Sequence, residues 1–212
     1  MLYLNGMRRV VPILLSAFAF APLVARQPPK VEIDNQWVHV LRMTLAPHEK
    51  TSIDLPLPTV GVVLGDLNQN GTRRKDGDVY YLAGETTQTD ENPSDKPAEQ
   101  ILIELKPGAP KSDPVKLDPV KLDPEHHPVV LENDRVRAIR TILVPHLKSP
   151  RHEHPHYVVV YITDLHTTMT LADGRNVDNP RKPGEVAWRD ALSHVTENIG
   201  AQTAVEIQVE IK

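Results

Sequence analysis

Histidines cluster in the second half of this chain, where His152, His154 and His156 occupy every second position and His194 follows further on. Because side chains alternate along an extended strand, His152 and His154 should point to the same side. A third imidazole from a distant strand, directed into the same interior, would complete a set of three nitrogen ligands. Imidazole binds iron, manganese, zinc, nickel and copper, and three ligands leave positions open for water or substrate. The pattern therefore favours a divalent metal site.

The segments around these histidines have the patterns of β-strands. The stretch from Val136 to Leu143 alternates apolar and polar residues, which is typical of a strand with one buried face. Tyr157 to Ile162 is a continuous β-branched and aromatic run, as in a strand buried on both faces. Short strands punctuated by turns, with no sustained helical period, predict an all-β fold of the sandwich or barrel type.

The chain also contains an internal repeat. A shift of 98 residues places Asn35 on Asn133, Arg42 on Arg140 and Val60 on Val158. Insertions in surface loops then increase the offset, and the end of the first copy, residues 101–106, matches residues 207–212. We infer a duplicated domain, whose copies we expect to pack on each other or to exchange a terminal strand.

Only the second copy keeps the histidines. In the ungapped match, the positions of His152 and His154 are held in the first copy by Asp54 and Pro56; further along, where the offset has changed, the position of His194 is held by Gln88. The first copy is therefore predicted to be a structural half, with metal-free binding of an organic molecule as the second interpretation.

The predicted organisation has four parts. Residues 1–25 read as an export signal, because Arg8 and Arg9 precede a short apolar run that ends in small residues. Residues 26–106 and 129–212 are the two copies. Residues 107–128 contain a tandem Asp-Pro-Val-Lys-Leu pattern and predict a stiff, extended linker.

These motifs resemble those of the cupin superfamily. The residues from His152 onward resemble the first cupin motif, in which His-x-His is followed by Glu, and residues 184–198 resemble the second motif, which ends in His-x-x-x-Asn. The resemblance implies two tandem jelly-roll barrels (double-stranded β-helices), a bicupin, with His152, His154 and His194 as metal ligands.

Two departures from the family pattern affect the expected site. The usual Glu ligand is replaced at its position by Val158, and the usual Pro-x-Gly before the last histidine is replaced by Arg189 and Ala191. We therefore expect three histidine ligands without a carboxylate, and we expect Glu153 and His156 to lie outside the ligand set.

Composition narrows the function further. The chain has no cysteine, which excludes disulfides and thiolate sites, and a net charge of −4 with only 4% aromatic residues argues against nucleic acid as a partner. No stable membrane span is expected in the mature, exported chain, and a homo-oligomer is compatible with the sequence. The resemblance implies a small-molecule ligand and an enzyme of the dioxygenase or isomerase type. A non-catalytic binding or sensing protein and a purely structural bicupin stay open as alternatives.

Overall fold

A computed structural model describes residues 28–108 and 112–212 of the chain. The predicted export signal, residues 1–25, lies outside the described residues. Strands dominate both described ranges, as the sequence predicts. Within them, no helix has the length and hydropathy needed to cross a bilayer.

The first copy folds into two sheets that face each other. A five-stranded sheet has the order β1-β2-β9-β4-β7, and a four-stranded sheet has the order β3-β8-β5-β6. The strands are β1 (Lys30–Asp34), β2 (Val38–Leu45), β3 (Lys50–Leu55), β4 (Thr59–Leu64), β5 (Leu67–Gln69), β6 (Thr72–Arg74), β7 (Val79–Leu82), β8 (Thr86–Glu91) and β9 (Ala98–Leu105).

The second copy repeats this arrangement strand for strand, with sheets ordered β10-β11-β18-β13-β16 and β12-β17-β14-β15. The strands are β10 (Val129–Glu132), β11 (Val136–Leu143), β12 (His152–His154), β13 (Tyr157–Tyr161), β14 (Leu165–Leu171), β15 (Asn176–Arg181), β16 (Val186–Arg189), β17 (Leu192–Asn198) and β18 (Ala204–Ile211). The predicted all-β fold of two tandem jelly-roll barrels is confirmed.

The two five-stranded sheets pack face to face and form one shared core. Each contributes the apolar positions of its alternating strands, and these side chains are almost completely buried. The core includes Val38, Val40, Val62, Ile101 and Ile103 from the first barrel, and Val136, Val158, Val160, Ile207 and Val209 from the second. The predicted packing of the copies is confirmed. Terminal strands are not exchanged, since β1 pairs with β2 and β10 with β11.

A reciprocal pair of hydrogen bonds joins the barrels. The Arg42 guanidinium donates to the Gly184 carbonyl, and Arg140, its counterpart in the repeat, donates to the Gly77 carbonyl at 2.7 Å. Gly77 and Gly184 are themselves equivalent in the repeat. The barrels are therefore related by an approximate twofold arrangement, as in an isologous dimer fused into one chain.

The Pro-rich segment between the barrels is not the extended spacer that its composition predicts. Residues 119–122 form a helical turn, α1 (Pro119–Leu122), in which the Val120 N–H donates to the Asp118 side chain. The α1 turn lies against β12. A proline at the first helical position and an aspartate before it favour such a turn, and contacts with the second barrel hold it in place.

The interiors of the two barrels differ at one pair of facing residues. In the first barrel Gly61 lies opposite Tyr80 on β4 and β7, and the tyrosine ring fills the space above the glycine. In the second barrel the equivalent pair is Val159 and Ala187. The large side chain has thus moved to the other strand, and the small Ala187 takes the position of the ring.

A valine at position 61 should collide with Tyr80. A Cβ atom there would overlap the Tyr80 ring, so we expect Gly61→Val to destabilise the protein by about 1–3 kcal/mol. Adding Tyr80→Ala recreates the pair of the second barrel and should recover part of the loss. Thermal unfolding measures both effects, and a double variant no more stable than Gly61→Val alone would show that the collision is not the cause.

Candidate metal centre

Three buried histidines meet inside the second barrel. His152 and His154 lie on β12, and His194 lies directly opposite His152 on the neighbouring strand β17. Their exposed fractions are 2%, 1% and 3%. Each can offer one ring nitrogen such that the three atoms lie within 4.8 Å of one another. The structure thus brings together the three side chains that the sequence singles out.

The spacing of the rings suits a single metal ion. Ring centroids are 4.5 Å apart for His152 and His194, 5.0 Å for His152 and His154, and 5.4 Å for His154 and His194. Two imidazoles bound to one ion through bonds near 2.1 Å, at angles of roughly 90° to 110°, have centroids about 4.6 to 5.3 Å apart. Binding therefore needs only small rotations of the rings, which bring the nitrogens to their final separation.

Hydrogen bonds at Nδ1 orient the three rings. The backbone carbonyl of Pro150 lies 2.8 Å from Nδ1 of His152, and a carboxylate oxygen of Glu210 lies 2.8 Å from Nδ1 of His154. A longer contact of 3.4 Å joins Nδ1 of His194 to the Thr196 hydroxyl. Because the carbonyl and the ionised carboxylate only accept, they fix the tautomers of His152 and His154 and leave Nε2 of each ring as the nitrogen for a ligand, as in metal-binding histidines.

Two Nε2 atoms of the cluster, those of His154 and His194, are buried and have no hydrogen-bond partner among the described residues. A buried polar atom without a partner costs free energy, about 1–3 kcal/mol. A metal ion accepts an electron pair from each such nitrogen, so the side chains present fit a divalent cation.

Electrostatics keeps two of these imidazoles neutral. Burial, together with repulsion from the neighbouring histidines, lowers the pKa of His194 to about 2. Burial and the proximity of His154 lower the pKa of His152 to about 4. Because only the neutral imidazole binds a metal ion, these two side chains are ready to bind one near neutral pH.

Glu210, on β18, is the carboxylate closest to the cluster. Burial alone would raise its pKa, but hydrogen bonds from His154 and Arg137 hold the pKa below its ordinary value. Its negative charge is therefore retained inside the barrel. It contacts the rear nitrogen of His154, so it would offset part of a cation's charge from outside the ligand set.

The rest of the interior is polar as well. Glu206 lies on the same face of β18 as Glu210, and burial raises the pKa of its carboxyl group. The Arg189 guanidinium donates to the Tyr161 hydroxyl at 3.3 Å and to the Asn179 side chain at 3.1 Å. An acid with a raised pKa and a cation beside a candidate metal site are groups that could assist proton transfer and anion binding.

Val158 does not occupy the place that the sequence comparison assigned to the missing Glu ligand. It points into the core between the barrels, away from the histidines. Its neighbour Tyr157 faces inward, with its ring centroid 4.8 Å from that of His154. The error arises because a strand turns successive side chains to opposite faces, so a count that is off by one residue changes the face.

The first-barrel residues equivalent to the histidines differ from those that the ungapped match gives. Strand pairing puts His152 opposite His194, and in the first barrel Ile53 lies opposite Gln88. The counterparts of His152 and His154 are therefore Ile53 and Leu55, and the ungapped assignment to Asp54 and Pro56 is wrong. The second copy has one additional residue before β12, which the shorter turn after it compensates.

The first barrel nevertheless lacks the imidazoles, as predicted. Gln88 stands at the His194 position and donates to the buried Asp90 carboxylate at 2.7 Å. Gln100 donates to the same carboxylate oxygen, and the Tyr80 hydroxyl donates to Gln100. A network of neutral amides around one carboxylate fills the space that the histidines occupy in the second barrel.

The other residues near the motif have roles outside the ligand set, as expected. The Glu153 carboxylate turns away from the histidines and accepts from the backbone N–H of Lys116 at 2.9 Å. The His156 ring packs against Trp37 and Trp188, with centroid distances of 4.4 Å and 5.7 Å. Asn198 closes a strand end, since its side chain donates to two backbone carbonyls.

His127, a fourth histidine beside the cluster, is missed by sequence reasoning. Its ring is 1% exposed and lies 5.4 Å from that of His152, measured between centroids. It comes from the segment between the barrels, where neither repeat nor family motif assigns it a position. Glu210 was detectable in principle, because β18 alternates apolar residues with Glu206, Gln208 and Glu210.

A cleft of about 620 Å³ opens at the surface beside the cluster. One wall is Trp37 of the first barrel, another is the stretch from Ser112 to Lys116, and His154 is among the residues that line it. Most of the lining is uncharged. The cleft has the size and character of a small-molecule site, and it borders the cluster at His154.

Comparison with solved structures identifies the fold. AerE from Microcystis aeruginosa superposes with a TM-score of 0.60 at 14% identity, covering 87% of this chain and 97% of AerE. The oxalate decarboxylase of Bacillus subtilis, a protein with Mn(II) centres, gives 0.59 at 13% identity, covering 82% and 68%. The salicylate 1,2-dioxygenase of Pseudoaminobacter salicylatoxidans gives 0.53 at 10% identity, also covering 82% and 68%. No family model and no curated protein matches the sequence.

The neutral histidines predict an acid-sensitive metal-free protein. Below pH about 6.5 the unfolded chain protonates His152 and His194, whereas the folded chain resists until about pH 4 and about pH 2. Stability should therefore be complete above pH 6.5 and fall as the pH drops from 6.5 towards 4. Each group should contribute on the order of 1 kcal/mol per pH unit.

Urea unfolding of chelator-treated protein between pH 7 and 5 measures this slope. A His194→Gln variant should show a shallower slope than the parent chain. Parallel slopes for the two proteins would contradict the assignment of a neutral, buried His194.

Proposed function

Starting from the tandem cupin fold of this chain, we propose that the protein binds one divalent transition metal through His152, His154 and His194. The two buried Nε2 atoms without partners carry this proposal, because a metal ion satisfies both of them at once. The three imidazoles also have their rear nitrogens held, which is the usual arrangement around a protein-bound metal. The oxalate decarboxylase of the same fold holds Mn(II) centres.

We infer that the site acts on a small molecule that enters through the cleft beside Trp37. A bound divalent ion would supply a Lewis acid that polarises a substrate oxygen. His152, His154 and His194 would hold the ion and leave positions free. Glu206, with a pKa raised by burial, could hold or release a proton within the barrel, and Arg189 could bind an anionic group.

A non-catalytic metal site is the second candidate, and the burial of the ligands favours it. All three imidazoles are at most 3% exposed, as in sites where metal supports the fold. The difference between the two candidates is whether a coordination position stays open to an outside ligand. The choice of metal does not affect this distinction.

The proposal also includes export of the protein. Its support is the sequence alone: Arg8 and Arg9, followed by a short apolar run and small residues. To test export, the full chain is expressed, and the protein from the periplasmic and extracellular fractions is sequenced from its N-terminus. An intact N-terminus in the cytoplasmic fraction would contradict it.

We expect the untagged protein to bind about one metal ion per chain. His152→Ala and His194→Ala should reduce the bound metal to well below one equivalent, because two imidazoles hold a divalent ion far less tightly than three. His156→Ala and His146→Ala are matched controls, since these histidines lie outside the cluster, and should retain the metal. Elemental analysis after dialysis measures all four, and a metal-free parent chain would refute the proposal.

Binding of azide to the Co²⁺-loaded protein separates a catalytic from a closed site. With an open position, azide should shift the visible absorption of the Co²⁺ ion, because the anion enters the coordination sphere. In a closed site the spectrum should stay unchanged. Arg189→Gln should weaken azide binding if this guanidinium attracts anions to the interior, while His156→Ala should not.

A further inference from the structure

The segment between the barrels lies against the strand that carries two of the histidines. The Leu117 carbonyl accepts from the backbone N–H of Glu153, which stands between His152 and His154. In return, the Glu153 carboxylate accepts from the backbone N–H groups of Lys116 and Leu117 at 2.9 Å and 3.3 Å. The segment thus extends the sheet edge at β12, and we call residues 112–128 the strap.

A series of charged hydrogen bonds connects the strap to the histidine cluster. Asp118 accepts from Nη1 of Arg137 at 3.0 Å, and Nε of Arg137 donates to Glu210 at 2.7 Å. The other oxygen of Glu210 lies 2.8 Å from Nδ1 of His154. Asp118, Glu210 and His154 are each less than one-tenth exposed, so these contacts are shielded from water and are stronger than surface pairs.

The strap touches the cluster at a second point. His127, near its end, is almost fully buried and packs beside the His152 ring. Its Nδ1 lies 3.0 Å from the Asp123 carbonyl of the same segment, which fixes the ring. The strap therefore contacts both histidines of β12, one through the chain of charges and one through a ring.

We propose that Asp118 is a positioning residue of the metal site and that strap docking and metal binding stabilise each other. This inference rests on the proposed metal binding. Asp118 fixes Arg137, Arg137 fixes Glu210, and Glu210 holds the His154 ring with Nε2 directed at the metal. Because linkage is reciprocal, a bound metal must in turn hold the strap more firmly.

The first barrel provides an internal comparison. Glu104 is the counterpart of Glu210, but its partner is His39, at 2.7 Å, in place of an arginine. Leu55 stands where the second barrel has His154, so no ligand needs orientation there. The chain from strap to carboxylate to imidazole thus occurs, among the described residues, in the barrel that keeps the histidines.

The test compares metal affinity in Asp118→Asn, Glu210→Gln, the double variant and a Glu104→Gln control. Asparagine caps a helix as well as aspartate does, so Asp118→Asn removes the charge and keeps the α1 turn. Zn²⁺ affinity is measured by competition with a chromophoric chelator, and the Co²⁺ spectrum reports ligand geometry.

We expect Glu210→Gln to weaken Zn²⁺ binding by on the order of 10- to 100-fold and Asp118→Asn by roughly 3- to 10-fold. The double variant should be no weaker than Glu210→Gln alone, because both act on the same ring. Glu104→Gln should bind Zn²⁺ within about twofold of the parent, since its carboxylate lies in the other barrel. The Co²⁺ spectrum should change in Asp118→Asn, Glu210→Gln and the double variant, and should stay unchanged in Glu104→Gln.

Limited trypsin digestion tests the reciprocal effect, with cleavage after Lys116 and Lys121 followed by mass spectrometry. Zn²⁺ should slow cleavage at these two sites in the parent chain, and by less in Asp118→Asn. Unchanged affinity and spectrum in Asp118→Asn, even with a lowered melting temperature, would overturn the inference and leave a merely structural role. A parent chain that binds no Zn²⁺ would refute the proposed function itself, and the inference with it.

Discussion

Strand β18 is buried on both faces, and the two faces require opposite kinds of side chain. One face carries Ile207, Val209 and Ile211 into the core between the barrels. The other carries Glu206, Gln208 and Glu210 into the interior of the second barrel, where every polar group needs a partner. Arg137 and His154 meet that need for Glu210. The orientation of the histidine cluster therefore depends on the same strand that holds the two barrels together.

Duplication produced two barrels with the same arrangement of strands, and their interiors have since diverged. The shared arrangement is kept by equivalent strand orders and the reciprocal Arg42 and Arg140 contacts. Inside the first barrel Tyr80 and a network of glutamines occupy the volume. In the second, the small Ala187 stands at the position of Tyr80, and the three histidines lie buried in the interior. One barrel is thus a packed support, and the other encloses a polar site.

Burial of the cluster has two opposing consequences. It keeps His152 and His194 neutral and leaves two ring nitrogens without partners, both of which favour a metal ion. It also limits access from solvent, and the cleft bounded by the strap and Trp37 borders the cluster at His154. The strap lines this cleft and also contacts the residues that hold the cluster. Binding, access and strap position are in this way properties of one connected set of residues.

The sequence by itself determined the all-β duplicated fold and the three histidines, because these depend on local alternation and on a repeat that survives in the residue order. It did not determine the one-residue slip that makes Ile53 and Leu55 the counterparts of His152 and His154, since a strand changes face with every residue. Only the tertiary structure decided that Val158 faces the other barrel, that a proline-rich strap docks on β12, and that Asp118, His127 and Glu210 approach the cluster. Those contacts join residues distant in the chain, and their partners are set by packing, which local patterns do not encode.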